Sequence, residues 1–262
     1  MKNVLAKALA PLAIALVIGA VPAFAVPAFA ADYHHMHLTA SDPAKGAEWY
    51  AKHFDGKLVQ PELCMIGDIL FIFFKKTDDF PGSVGSGVDH IGFSVEDIDA
   101  TMKTLEEAGV KIISGVRELP GLKIAFIEDP WGTKIEILQD PDLLGFHHIH
   151  LHSSDVEGTV AWYQETFGGE TFDSFKGLPI KGVDYGDVLI MVQRSNGEKA
   201  PTKGRSIDHL GFSTPNLDAA AEALKAKGVT FSLDPIPYRN LRISFIDGPD
   251  GVLIEYLQPA SE

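Results

Sequence analysis

A single cysteine, Cys64, in 262 residues excludes any internal disulfide. Stability must come from packing, and inside the apolar stretch LCMIG the thiol reads as a small buried hydrophobe. Basic residues are scarce too, 22 against 36 acidic, and a net charge of −14 argues against nucleic acid or an anionic membrane as partner. Long apolar runs are missing, with one exception at the start. Lys2 and Lys7 precede an apolar stretch over residues 8–21, and then VPAFA is written twice, at 21–25 and 26–30. The stretch is too short for a bilayer span, which needs about 20 residues, and the repeated Ala-Phe-Ala suits a signal peptidase. Residues 1–30 are therefore expected to be a signal peptide cleaved after Ala30. The protein is expected to be exported, periplasmic or secreted, without stable membrane association afterwards. Loss of Lys2 and Lys7 takes the charge from −14 to −16.

What the chain has in excess is histidine in one place. FHHIHLHSS, from Phe146, crowds four imidazoles into six residues, and HHMHLTASD from His34 echoes it. Read as a strand, side chains alternate, so His148, His150 and His152 share one face. The echo belongs to a duplication. His35, Leu38, Asp42, Trp49, Tyr50, Phe54 and Gly56 match His148, Leu151, Asp155, Trp162, Tyr163, Phe167 and Gly169 at one offset. After six extra residues, His90, Gly92, Phe93, Gly109, Phe126, Pro130, Glu136 and Gln139 match His209, Gly211, Phe212, Gly228, Phe245, Pro249, Glu255 and Gln258.

Each half is itself built from two similar units. Helices are expected at 43–53, 98–108, 156–167 and 217–227, the first and third capped by an Asp or Ser and the second and fourth closed by Gly. Alternating runs such as 68–74 and 187–193 read as strands, and the Pro-x-Gly turns in KIAFIEDPWGTKIEIL and RISFIDGPDGVLIEYL close hairpins. The unit is strand, helix and three strands, used four times. Residues 139–145 form a short linker between the halves, which points to two closely packed domains.

In each half the same residue types recur at equivalent places: a His on the first strand, a His opening the second unit and a Glu on the last strand. They are His35, His90 and Glu136, then His148, His209 and Glu255. Two neutral imidazoles and a carboxylate can occupy one face of a metal octahedron and leave positions for substrate, a pattern that suits Fe(II), Mn(II), Ni(II) or Zn(II). The bland reading is that a strand His is a hydrogen-bonded core residue and that duplication copies inert residues as well.

DHIGFSVEDID with FIEDPWGTKIEIL, and DHLGFSTPNLD with FIDGPDGVLIEYL, resemble the vicinal oxygen chelate superfamily. That superfamily includes glyoxalase I, bleomycin and fosfomycin resistance proteins, methylmalonyl-CoA epimerase and extradiol dioxygenases. The resemblance implies an α+β fold of paired βαβββ modules, four modules in two domains at 33–140 and 146–259. Each domain would be a half-open mixed β-barrel with its helices outside. It also implies one divalent metal per active domain, Fe2+ favoured with Mn2+, Ni2+ or Zn2+ as alternatives, held by His35, His90 and Glu136 in the first and by His148, His209 and Glu255 in the second. Glyoxalase I usually has a fourth ligand, a Glu, where this chain has apolar residues near Phe71 and Ile190. Extradiol enzymes use a Tyr where Phe126 and Phe245 stand. His150 and His37, two residues past the first ligand, are candidates for acid-base work. Tyr238 and Arg239, which match Leu119 and Pro120, add a phenol and a carboxylate clamp to the second half only. The functional expectation is a metal-dependent enzyme acting on a small chelating substrate, dioxygenase-like ahead of a glyoxalase I-type lyase or isomerase. A non-catalytic binding protein is the reading from another class, and a homo-oligomer is compatible with all three.

Overall fold

The computed structural model describes residues 31–77 and 79–260, so the expected signal peptide lies outside the described residues. Its first βαβββ module runs through β1 (Asp32–Ala40), α1 (Pro43–His53), β2 (Lys57–Gln60), β3 (Leu63–Ile66) and β4 (Ile69–Lys75). The second comprises β5 (Val88–Ser94), α2 (Ile98–Glu107), β6 (Lys111–Leu119), β7 (Leu122–Glu128) and β8 (Lys134–Gln139). The third follows with β9 (Gly145–Ser153), α3 (Val156–Phe167), β10 (Glu170–Phe172), β11 (Lys181–Asp184) and β12 (Leu189–Arg194). The fourth closes the chain with β13 (Ile207–Ser213), α4 (Leu217–Ala226), β14 (Phe231–Tyr238), β15 (Leu241–Asp247) and β16 (Leu253–Gln258).

The helices begin where their caps put them. Asp97, Asp155 and Asn216 accept from the amides of Ala100, Gly158 and Ala219 at 3.0–3.1 Å, satisfying donors that have no partner within the helix. Two helices end at Gly109 and Gly228, whose φ of +75° and +88° an L side chain rarely adopts.

The strands form two eight-stranded mixed sheets, ordered β14-β15-β16-β13-β1-β4-β3-β2 and β10-β11-β12-β9-β5-β8-β7-β6. Each sheet curls and keeps open edges. Modules 1 and 4 share the first sheet, joined by antiparallel β1 and β13, and modules 2 and 3 share the second, joined by β5 and β9. The sequence reading pairs modules within each half; the sheets pair them across the halves. Connector length accounts for this. Residues 140–144 are few enough that β9 must lie near β8, and it settles on the other side of β5 in the same sheet. The longer connectors, 76–87 and 195–206, carry the chain to the other sheet and back. Modules adjacent within a half instead pack through side chains. Phe54 stacks on Phe93 with centroids 3.8 Å apart and Phe167 on Phe212 at 4.0 Å, inside one continuous apolar core.

Candidate metal centres

The antiparallel junction strands set the site. In the first sheet His37 is paired with His209 and His35 with Gly211, and Gly211 in turn lies beside Glu255 on β16. In the second sheet the pairing repeats: His150 with His90, His148 with Gly92, and Gly92 beside Glu136. The glycines at these crossing points leave the space the rings occupy. A Cβ at Gly211 would come within 2.1 Å of the His35 ring, and one at Gly92 within 2.1 Å of His148.

Two four-residue clusters result, His35, His37, His209 and Glu255 in one cup and His90, Glu136, His148 and His150 in the other. In each, one donor atom per residue lies within 4.8 Å of all the others. Ligands about 2.1 Å from an ion sit roughly 3–4 Å from one another, so small side-chain adjustments close either cluster on a metal. Around Glu255 Oε2 the Nε2 atoms of His35, His209 and His37 stand at 3.3, 3.3 and 3.6 Å. Around Glu136 Oε2 those of His90 and His148 stand at 3.0 and 3.7 Å. His35 Nε2, His148 Nε2, His37 Nδ1 and both nitrogens of His150 are buried without a hydrogen-bond partner. Buried imidazole nitrogens left unpaired around a carboxylate are what a metal-accepting set looks like before loading.

The sequence triads are thus regrouped. His35 belongs with His209 and Glu255, and His148 with His90 and Glu136, because each cup takes its first strand from one half and its second His and its Glu from the other. His150 is therefore in the opposite cup from Tyr238 and Arg239, which line the cavity above His35. His147, which strand alternation points to the opposite face, is fully buried and its Nδ1 lies 2.9 Å from His148 Nδ1. On β4 and β12 the side chains that face the cups are Leu70, Ile72, Met191 and Gln193 rather than Phe71 and Ile190. No carboxylate comes from that strand; His37 and His150 complete the clusters instead.

A second layer orients the donors. Asp208 Oδ1 lies 2.6 Å from His209 Nδ1 and Asp89 Oδ1 2.7 Å from His90 Nδ1, which aims each Nε2 at the cluster. His34 and His147 meet the Nδ1 atoms of His35 and His148 at 2.9 Å. Among the described residues only the second contact continues, with His147 Nε2 3.4 Å from Asp140 Oδ2 and Lys176 Nζ 3.0 Å from Asp140 Oδ1.

Burial holds His35, His37, His148 and His150 below the usual imidazole range, so they are neutral near pH 7. Burial alone would raise the Glu255 carboxyl, but hydrogen bonding from His209 and the nearness of His35 outweigh it and hold it at about 2. Glu136 is likewise lowered against its burial by His148 and His90. These four neutral imidazoles and the two ionised carboxylates are in the protonation state that binds a divalent cation, whereas His209 is raised, its hydrogen bonds to Asp208 and Glu255 outweighing burial.

Above the clusters the cups open differently. The His35 cup holds a cavity of about 900 Å³ and the His148 cup one of about 460 Å³. Phe245 and Phe126 stand edge-on to His209 and His90, with centroids 5.2 and 5.3 Å away, so each cup presents a phenyl ring there and no phenol.

The family model described as the Glyoxalase/Bleomycin resistance protein/Dioxygenase superfamily matches residues 32–137 and 145–256, and the chain belongs to that superfamily. Among curated relatives, the "Probable lactoylglutathione lyase, chloroplastic" of Arabidopsis thaliana is 28% identical over 182 residues, 64% of this chain and 52% of the relative. The chain thus spans about half the length of that relative. A "Probable lactoylglutathione lyase" of Vibrio parahaemolyticus is 25% identical over 121 residues, 42% of this chain and 88% of the relative. Among solved structures, glyoxalase I from Zea mays superposes with a TM-score of 0.72 at 19% identity, covering 88% of this chain and 93% of its own, a likeness of fold.

Proposed function

We propose that the protein is a metal-dependent lyase or isomerase of the glyoxalase type, acting on a small substrate that offers two adjacent oxygens. The observation that carries this reading is the convergence of three imidazoles and one ionised carboxylate at the floor of an open cavity. The curated relatives, named lactoylglutathione lyases, support it over the dioxygenase-like activity that ranked first on sequence, as do the phenyl rings of Phe126 and Phe245. A divalent ion held by these residues would supply Lewis acidity, making the C–H beside a substrate carbonyl more acidic. The donor set accommodates Zn(II), Ni(II), Fe(II) or Mn(II).

Glu255 would supply the negative charge to hold such an ion, and Asp208 orients His209 so that it presents Nε2. His37 takes the place of the missing fourth carboxylate. With an ion held by His35, His209 and Glu255, the neutral ring of His37 would be left free of the metal, with Nε2 toward the cluster, to accept a proton from substrate and return it to the neighbouring carbon.

The test is turnover of the hemithioacetal of methylglyoxal and glutathione by metal-stripped protein reloaded separately with each of the four ions. Activity with at least one ion, abolished by a chelator and restored by the metal, is expected. Metal uptake without turnover under any ion would leave a non-catalytic binding protein. Export is part of the same proposal: the exported protein is expected to begin at Ala31, and an intact Met1 in the exported fraction would contradict it.

A further inference from the structure

The duplication supplies an internal control, because the two cups share a floor and differ in their walls. Gln193, Arg117 and Lys134 line the smaller cavity; at the equivalent strand positions the other sheet has Phe74, Ile236 and Leu253, of which Phe74 lines the larger cavity. Polar groups in one are apolar groups in the other. Phe74 packs against His37 with centroids 4.1 Å apart, and His37 stacks on His209 at the same spacing, so an aromatic wall rises from the metal donors to the mouth. At the mouth Phe74 is 43% exposed and Tyr238 47%, two aromatic faces directed at the cavity and still in contact with water. A volume of about 900 Å³ leaves room for a ring above the donors.

Arg239 adds a charge to this mouth. It sits at the tip of the β14–β15 hairpin with φ 53°, a left-handed conformation that costs a non-glycine residue strain and that concentrates at functional positions. Its guanidinium lies 5.5 Å from the centroid of the Tyr238 ring, and among the described residues no carboxylate pairs with it. The equivalent turn in the other cup has Pro120 and Gly121, with the positive φ on the glycine.

Resting on the lyase or isomerase reading for this same site, we infer that the His35 cup takes an aromatic substrate. Its two adjacent oxygens reach the histidine-lined floor, its ring lies between Phe74 and Tyr238, and a carboxylate at the outer end meets Arg239. The His148 cup, with Gln193 and Lys134 in place of that wall, lacks the preference.

Hydroxamates present two adjacent oxygens to a metal and so report binding without turnover. Zinc-loaded full-length protein carrying His90→Ala, which confines metal to the His35 cup, is titrated calorimetrically with acetohydroxamate, benzohydroxamate and 4-carboxybenzohydroxamate. Burying a phenyl ring is expected to tighten binding on the order of 10-fold or more, and the carboxylate by roughly a further 3- to 10-fold. Arg239→Gly relieves the strained φ, so its Tm should hold or rise while the carboxylate advantage disappears. In the His209→Ala protein, which leaves the other cup, the phenyl advantage should shrink to a few-fold. Equal affinity for acetohydroxamate and benzohydroxamate in the His90→Ala protein, or a carboxylate advantage that survives Arg239→Gly, would overturn the inference. Hemithioacetal turnover without hydroxamate discrimination defeats this inference alone, whereas discrimination without turnover defeats the lyase reading alone.

Discussion

At the scale of single residues, the two glycines between donor strands are as constrained as the donors. Gly92→Ala places a methyl group 2.1, 2.3 and 2.7 Å from Cε1, Nδ1 and Nε2 of His148, so the imidazole must leave its position. The expected result is metal affinity at that cup lowered by at least 10-fold, with about 1–3 kcal/mol lost from stability as the overpacking is absorbed. Unchanged stoichiometry and affinity in a cobalt titration would contradict this. The orienting histidines make an asymmetric prediction. His148 is braced through His147 to Asp140, while His35 leans on a half-buried His34 with no second partner among the described residues. His147→Ala should therefore weaken metal binding in its cup by roughly 10-fold, within the range for groups that orient a ligand, and His34→Ala should do less in the other. Equal effects would mean that Asp140 adds nothing. The imidazoles themselves were legible in the sequence because strand alternation puts every second residue on one face. The burial of His147 was not, since alternation points it at the opposite face and says nothing of what covers that face.

At the scale of elements, the β7–β8 turn carries a buried carboxyl whose cost is measurable. Asp129 accepts from the amides of Trp131 and Thr133 at 2.9 and 2.8 Å and from the Tyr50 hydroxyl at 2.9 Å, tying the turn to α1. Burial nevertheless pushes its carboxyl up to about 6. A carboxyl raised on folding contributes stability that is complete below its unfolded value near 3.9 and is lost as pH rises through about 6. Between pH 7.5 and pH 5 the wild-type protein should gain about 1 kcal/mol relative to Asp129→Asn, read from paired denaturant melts. A difference that does not change with pH would show that the three hydrogen bonds keep the carboxylate ionised. The elements themselves followed from the sequence nearly to the residue at α1 and α3, where Asp42 and Asp155 cap the first turn and aromatic residues fill the buried face. The short edge strand β10, Glu170–Phe172, gave no such signal, having too few residues for alternation to register.

At the scale of the molecule, repetition reveals which residues are equivalent and leaves open which copies meet. The offset between His35 and His148 is the same whether modules pair within a half or across the halves, so the donor types were legible and their partners were not. The physical signal lay in the connectors: five residues at 140–144 hold β9 beside its predecessor's sheet, and twelve-residue links at 76–87 and 195–206 cross between sheets. One consequence is that neither half owns a complete cluster. Separating the chain near residue 142 would divide both cups, and the two pieces should bind metal at full strength only when mixed.

The exchange of partners is tested most directly by counting metal ions in double variants of the full-length protein. If each cup holds one ion, His35→Ala combined with His209→Ala strikes one cup twice and should leave one equivalent of metal per chain. His35→Ala combined with His90→Ala strikes both cups and should leave none. The reverse order, none for the first pair and one for the second, would contradict the cross-paired cups and restore the grouping by halves.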